Sequence, residues 1–381
     1  MRILVLSKRQ YMNKDLIDDR YGRFYELPRE LVSLGHEVAG LCLSYRRRAE
    51  GHLIDSGIDN CKVDWCSINL GSLIVPGLIR YFRRLDGICN EFKPDLIYAC
   101  ADALQVIHGV RVARKLDIPC VVDLYDNFES FNLTKLPGIL PLFKRAVRRA
   151  DGVVCVSSNL HEYIEQNYYP RGQVVTISNG IPSKLFHPMD RKECRLNLGL
   201  PVDAKLIGTA GALSSSRGIE ILFKVAMDLI ADDSSIHLVV AGLLDRGVKL
   251  PEGANIHYLG ELDYEQVPML LNALDVGIIC NRDSSFGRYC FPQKAHEMLA
   301  CGISVVAADV GTMAELFIEH SECLYAPENQ YDLSKTIRNQ LFCPTRFRHR
   351  GPTWAELAKD MENLLREMNN KFDLNLFVKV D

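Results

Sequence analysis

The stretch Lys205 to Gly242, KLIGTAGALSSSRGIEILFKVAMDLIADDSSIHLVVAG, decides the fold. It opens on an apolar run, breaks at Gly211 and a serine-rich turn, continues through GIEILFKVAMDLIA with helical periodicity, and closes on a second apolar run, IHLVVA. Strand, helix and strand in that order make a βαβ unit, whose strands run parallel because the helix returns the chain across the sheet.

Working outward, the alternation continues downstream with the strands NIHYLG, VGIIC and SVVAAD and the helices YEQVPMLLNAL and QKAHEMLACG. Upstream, six short apolar runs recur as RILVLS, HEVAGLCL, PDLIYAC, PCVVDLY, GVVCVS and QVVTIS, with amphipathic stretches between several of them. In one of these, YELPRELVSLG, residues Leu27, Leu31 and Leu34 share a helical face. Between the two series lies Asn179 to Asp203, a polar segment with prolines at 182, 188 and 201 and no strand signal. Two successive α/β domains with parallel sheets are expected, 1–182 and 183–364. The strongly helical tail is expected to pack back on the first domain from about residue 365.

A chain of 381 residues is long enough for two hydrophobic cores. With 48% apolar and 24% charged residues it is neither disordered nor fibrous. The longest charge-free stretch, Trp65 to Ile79, contains Ser, Asn, Gly and Pro and falls short of the ~20 apolar residues of a spanning helix. MRILVLS reads as a first buried strand rather than a secretory leader. Thirteen cysteines without a C-x-x-C pair point to reduced thiols, hence a cytoplasmic protein. The net charge of −3 gives no argument for nucleic acid, although positive charge gathers at Arg46 to Arg48, at Arg80, Arg83 and Arg84, and at Lys144 to Arg149. GILPLFKRAVRR places Ile139, Leu142, Phe143, Ala146 and Val147 on one helical face, and LIRYFRRL repeats the theme, so an anionic membrane surface is an expected partner.

In an open parallel sheet, ligands bind beyond the carboxyl ends of the strands, where loops lead into helix N-termini that favour anions. In GTAGALSSSRGIEIL, Gly211 lets the backbone pass close to a ligand, and Arg217 with Gly218 opens a helix where an arginine can grip phosphate bidentately. The loop after Cys280, NRDSSFGRYCFPQKAHE, leads into a helix begun near Pro292, and Glu297 about one turn in can accept hydrogen bonds from two vicinal hydroxyls of a ribose. G-x-G-x-x-G, Walker, G-x-S-x-G and D-x-D patterns are all lacking, which argues against dehydrogenases, P-loop enzymes, hydrolases and a metal-chelating carboxylate pair.

Seven segments in order, YGRFYELPRELVSLGHEV, ADGVVCVSSNL, TISNGIPSKLFHP, GALSSSRGIEIL, LVVAG, YLGELDYEQVPMLLNALDVGI and AHEMLACGISVVAADVGTMAEL, resemble the retaining glycosyltransferases of family 4. That family has the GT-B fold, two Rossmann-like domains with parallel sheets facing a central cleft. The resemblance implies a nucleotide sugar bound mainly by the second domain, a glycan or lipid-linked acceptor on the first, and neither metal nor other cofactor. Arg217 falls where the family grips the donor diphosphate, and Gly22 in the N-terminal glycine loop facing the same phosphates. Glu297 falls on the second glutamate of E-x7-E, which holds the ribose. Gly260 to Leu262 match the loop edging the base, and Asn281, Asp283, Phe291, Pro292 and Lys294 lie in the donor loop.

Three positions depart from the family pattern: Tyr289 stands for the first glutamate of E-x7-E, Ala212 for the first basic residue of the phosphate pair, and Tyr125 for a histidine. Asp126, Asp283 and Lys294 are the candidates to compensate. DLYDNFES partly matches a D-L-W-P-E-S segment, and PQKAHE a P-x-K-x-x-E loop, of the branch that makes surface polysaccharides. A nucleotide-sugar epimerase of the same fold and an inactive nucleotide-sugar-binding paralogue are the alternatives. His36, His108 and His296 read as ordinary packing residues, Asn179–Gly180 as a turn, and Cys301 as core.

Overall fold

The computed structural model describes residues 1–11, 14–54, 62–347 and 349–378. It divides into two compact units: Met1–Gly180 together with Trp354–Asp381, and Ile181–Thr353.

Unit 1 is an eight-stranded sheet of β1 (Arg2–Lys8), β2 (Glu37–Ser44), β3 (Gly51–Ile54), β4 (Asp64–Asn69), β5 (Leu96–Cys100), β6 (Cys120–Leu124), β7 (Gly152–Cys155) and β8 (Gln173–Thr176), in the spatial order β8-β7-β6-β5-β1-β2-β4-β3. Every pairing is parallel except that of the edge strand β3 with β4. Helices α1 (Arg23–Ser33), α2 (Ile74–Phe92), α3 (Ala103–Leu116), α4 (Ile139–Arg149) and α5 (Ser158–Tyr168) connect them. Ile3, Leu4, Val5 and Leu6 of β1 are all buried, the mark of a strand covered on both faces. The chain leaves β1 toward β2 on one side and resumes at β5 on the other, so strand order reverses between β1 and β5.

Unit 2 begins with α6 (Arg191–Asn197), then β9 (Lys205–Ala210), α7 (Ile219–Asp232), β10 (Ile236–Ala241), β11 (Ile256–Tyr258), α8 (Val267–Ala273), β12 (Val276–Ile279), α9 (Ser285–Tyr289), α10 (Gln293–Ala300), β13 (Ser304–Ala308), α11 (Met313–Leu316), β14 (Leu324–Tyr325) and α12 (Gln330–Phe342). Its sheet, β11-β10-β9-β12-β13-β14, is parallel throughout and reverses between β9 and β12. Ile219, Leu222, Phe223, Ala226 and Leu229 of α7 recur every three or four residues and are buried against it. The strandless segment before β9 is held by Arg195, whose guanidinium donates to the carbonyls of Ala273 (2.8 Å), Val202 (2.6 Å) and Ala204 (3.0 Å) and pairs with Asp275 at 2.7 Å.

Two expectations need correcting. The final helix, α13 (Trp354–Val378), belongs to unit 1 from its first residue rather than from about residue 365. Its apolar stripe of Leu357, Met361, Leu364, Leu365 and Met368 joins Ile3, Phe24 and Leu27 in the core, and its start is fixed by Trp354 against Gly180, where any Cβ would come within 2.6 Å of the indole. The apolar face of α4 is not a free surface: Phe143, Ala146 and Val147 are buried in unit 1, and of the five residues only Leu142 is exposed. The described helices include none long and apolar enough to cross a membrane.

Candidate functional site

The reversal between β9 and β12 brings the loops after both strands to one edge of the unit 2 sheet. After β9 the chain turns at Gly211 with φ +103, a conformation open to glycine, and a Cβ there would lie 2.7 Å from Cε of Lys294. Gly242 after β10 packs on the Gly211 carbonyl, and its N–H donates to the Gly260 carbonyl at 2.7 Å. Three successive loops thus lie side by side, with Lys294 of α10 laid across the first. Gly218, at φ +73, forms the N-cap of α7, and Arg217 just before it places its guanidinium 4.9 Å from the Phe286 ring centroid.

Burial and the Arg217 guanidinium bring the Lys294 ammonium down to about 7, against the pull of Cys280 and Glu297. Glu297, one turn further along α10, is pushed up to about 7 by burial, opposed by Gln293, Lys294 and Tyr264. Its Oε1 accepts from Gln293 Nε2 at 3.2 Å and from the Tyr264 hydroxyl at 3.4 Å. Both groups therefore change charge near neutrality, and an incoming anion would favour the protonated lysine.

The other expected donor residues differ in their placement. Asn281 follows β12 and is buried, its Oδ1 without a hydrogen-bond partner among the described residues. Pro292 is the N-cap of α10, one residue before the first helical turn, and Phe291 stacks on His296 with ring centroids 4.6 Å apart. Leu262 packs on the unit 2 core, so its side chain is structural. Asp283 is exposed and paired with Arg288 at 2.5 and 2.8 Å, which holds its carboxyl below the usual range.

In unit 1, Gly22 at φ +84 is the N-cap of α1, and its carbonyl accepts from the N–H of Tyr25 and of Glu26, both at 3.0 Å. Asp126 lies just beyond β6, where it accepts the Asn127 N–H at 2.7 Å and acts electrostatically on Lys8. Lys8, at the end of β1, donates to the Tyr125 hydroxyl at 3.0 Å, with its ammonium 5.4 Å from the Tyr125 and Phe131 ring centroids. Burial lowers its pKa, opposed by Asp102 and Asp126. This group occupies the carboxyl edge of the unit 1 sheet at its strand-order reversal. Asp123, within DLYDNFES, is structural: fully buried, it pairs with Arg23 at 2.7 Å, while Arg23 also donates to the Ser178 carbonyl at 2.7 Å.

Sequence reasoning missed Lys8, Asp102, Tyr264, Gln293 and Phe286. Lys8 carried a usable signal, being the last residue of the first strand at a reversal. Tyr264 and Phe286 carried none, since only folding brings them to Glu297 and Arg217. His36 does more than pack: its Nε2 meets Glu362 of α13 at 3.0 Å.

Two parallel-sheet α/β units, each reversing its strand order beside a loop cluster, define the GT-B architecture. Sucrose-phosphate synthase from Thermosynechococcus elongatus superposes with a TM-score of 0.71 over 99% of both chains at 17% identity. HepE of Anabaena in complex with UDP-glucose superposes with a TM-score of 0.66 over 99% of this chain and 100% of that one at 19% identity. The pattern of Glycosyltransferase Family 4 matches residues 23–185, and that of Glycosyl transferases group 1 matches residues 204–341. The chain belongs to glycosyltransferase family 4. An uncharacterized glycosyltransferase of Methanocaldococcus jannaschii is 23% identical over 68% of this chain and 72% of its own length. TuaC of Bacillus subtilis, named for teichuronic acid biosynthesis, is 26% identical over 71% of this chain and 66% of its own.

Proposed function

We propose that this glycosyltransferase moves a sugar, with retention of configuration and without a metal ion, from a nucleoside diphosphate sugar to a glycan or lipid-linked acceptor in polysaccharide or glycoconjugate synthesis. The observation that carries the reading is the pair of cations, Arg217 and Lys294, at the Gly211 loop. Lys294 lies across the backbone beside Ala212, the position that departs from the family, and so supplies the second positive charge there. The UDP-glucose held by HepE is the ligand class such a pair would receive.

As the glycosidic bond breaks, negative charge grows on the leaving diphosphate. Arg217, Lys294 and the N–H groups opening α10 are placed to stabilise it, a preorganised electrostatic contribution that needs no rearrangement during reaction. The leaving phosphate takes the acceptor hydroxyl's proton on the face it departs from, so the new bond forms on that face and configuration is kept. Glu297 holds the ribose hydroxyls through ground-state contacts.

The test is thermal shift against UDP, GDP, ADP, CDP and their sugars, followed by turnover of the stabilising donor with and without acceptor. A ligand that binds only the folded protein raises the melting temperature, by about 2.7 kcal/mol of stabilisation at a hundredfold excess over Kd. Acceptor-dependent release of nucleotide supports transfer. Conversion of donor alone to another sugar nucleotide would make the protein an epimerase, and binding without turnover a binding paralogue.

A further inference from the structure

We infer that Arg282 is a positioning residue: it fixes the turn that carries Arg217, so that the arginine meant for the donor diphosphate is in place before the donor arrives. The inference rests on the proposed role of Arg217 at that diphosphate.

Arg217 stands on a lightly held segment. It closes a single 3-10 turn, Ser215–Arg217, none of whose residues is buried. The backbone bonds of the turn are local: the Arg217 N–H reaches the Ser214 carbonyl at 3.1 Å, and the Gly218 N–H the Ser215 carbonyl at 3.0 Å. A cation on such a turn would have to be ordered by the anion it binds, and ordering a long side chain costs roughly two- to ten-fold in affinity.

Arg282 removes that cost from the loop after β12, the strand next to β9. Its stem lies beside Gly218, where any Cβ would come within 3.3 Å of Arg282 Cγ, and its Nε donates to the Ser215 carbonyl at 2.7 Å. Among the described residues, this is the bond that carries the backbone of residues 214–218 to the loop of another strand. The far end of the guanidinium donates to Glu328, in the loop after β14, and lies 3.9 Å from Glu220 of α7. Glu328 is itself firmly set. Its backbone is left-handed, with φ +59, which a residue other than glycine keeps only where its surroundings over-determine it. Next to it Asn329 caps α12 by accepting the Asp332 N–H at 3.1 Å, and Asp332 in turn accepts the Ala326 N–H at 2.6 Å. The planar fork of one arginine thus ties the Ser215 turn to the capped start of α12. Phe286, four residues on from Arg282, meets the Arg217 guanidinium, so one short stretch grips both the backbone of the turn and its side chain.

Charge separates the two arginines. Arg282 has its charge answered by Glu328 and Glu220, whereas Arg217 has no ion-pair partner among the described residues and acts on another cation, Lys294. The unanswered charge is the one that an anion completes, and the answered one serves geometry.

The experiment is a double-mutant cycle on nucleotide affinity, measured by titration calorimetry with whichever of UDP, GDP, ADP and CDP raises the parent's melting temperature most. The side chains of Arg282 and Glu328 are 41 and 56% exposed, and ion pairs so open to water add little to stability, so Arg282→Ala should melt close to the parent. It should nonetheless weaken binding about five-fold, against roughly ten-fold or more for Arg217→Ala. In the Arg217→Ala background, Arg282→Ala should cost under about two-fold more, because a residue that acts through Arg217 then has nothing left to position. Glu328→Gln loosens the outer end of Arg282 and should show the same non-additivity at smaller size; it supplies the cycle if Arg282→Ala melts well below the parent. Parent affinity in Arg282→Ala beside an impaired Arg217→Ala would overturn the inference and leave the donor site standing. Additive losses would overturn it too, since they would make Arg282 a contact of the nucleotide itself. Parent affinity in Arg217→Ala, or a parent that binds none of the four nucleotides, would instead remove the donor-site reading and this inference with it.

Discussion

Glu297→Gln should stabilise the protein above neutral pH and leave it nearly unchanged in mild acid. Burial raises the Glu297 carboxyl from its ordinary value of 4.5 to about 7. In the unfolded chain the group ionises near 4.5, so between 4.5 and 7 the unfolded state has released a proton that the folded state still holds, and stability falls with rising pH across that window. At about 1.4 kcal/mol per unit, the penalty at pH 8 amounts to ~3 kcal/mol, shrinking to under ~1 kcal/mol at pH 5. Glutamine keeps an oxygen to accept from Tyr264 and Gln293 and carries no charge to bury. The value of about 7 already contains the pull of Lys294, so a gain of about 1–3 kcal/mol is expected, or roughly 3–10 °C for a domain of this size. Thermal melts of parent and variant at pH 5 and pH 8 read it directly. A variant less stable than the parent at pH 8, or a difference independent of pH, would refute the reasoning.

Arg217→Ala should cut turnover by an amount of order 10²-fold and weaken nucleotide binding, read by steady-state kinetics and thermal shift, because the cation acts most on charge that develops in the transition state. By contrast, Glu297→Gln should raise donor KM more than it lowers kcat, the signature of a ground-state contact; parent kinetics in both variants would remove the site assignment. Gly211→Ala forces a side chain into a left-handed backbone against Lys294. It should cost about 1–3 kcal/mol in denaturant unfolding and weaken UDP binding. Leu365→Ala, in the fully buried stripe of α13, should cost about 2–5 kcal/mol in urea unfolding, whereas a helix merely resting on unit 1 would lose little.

How much of this was legible before folding depends on the range of the interaction. The βαβ alternation, the strandless segment near residue 190 and the helical tail all follow from local periodicity. The loops after β9 and β12 were legible too, since a glycine turn followed by a helix start is a short-range pattern. Misjudged features involve what the chain folds against. The basic amphipathic pattern of α4 fits a membrane face and a core helix equally well, and packing in unit 1 assigned Phe143 and Val147 to the core.

The sequence by itself determined two parallel-sheet α/β domains, the loop that carries Gly211 and Arg217, the helix start that carries Glu297, and the family, because periodicity and short motifs are properties of neighbouring residues. Tertiary structure alone decided that Lys294 lies across Gly211, that Tyr264 reaches Glu297, that Lys8 meets Tyr125, and that the exposed apolar residues sit at the tip of α2 rather than on α4. Those relations join residues far apart in the chain, and burial, which sets both the near-neutral titration of Lys294 and Glu297 and the exposure of Leu73 to Val75, is defined only once the whole fold has closed.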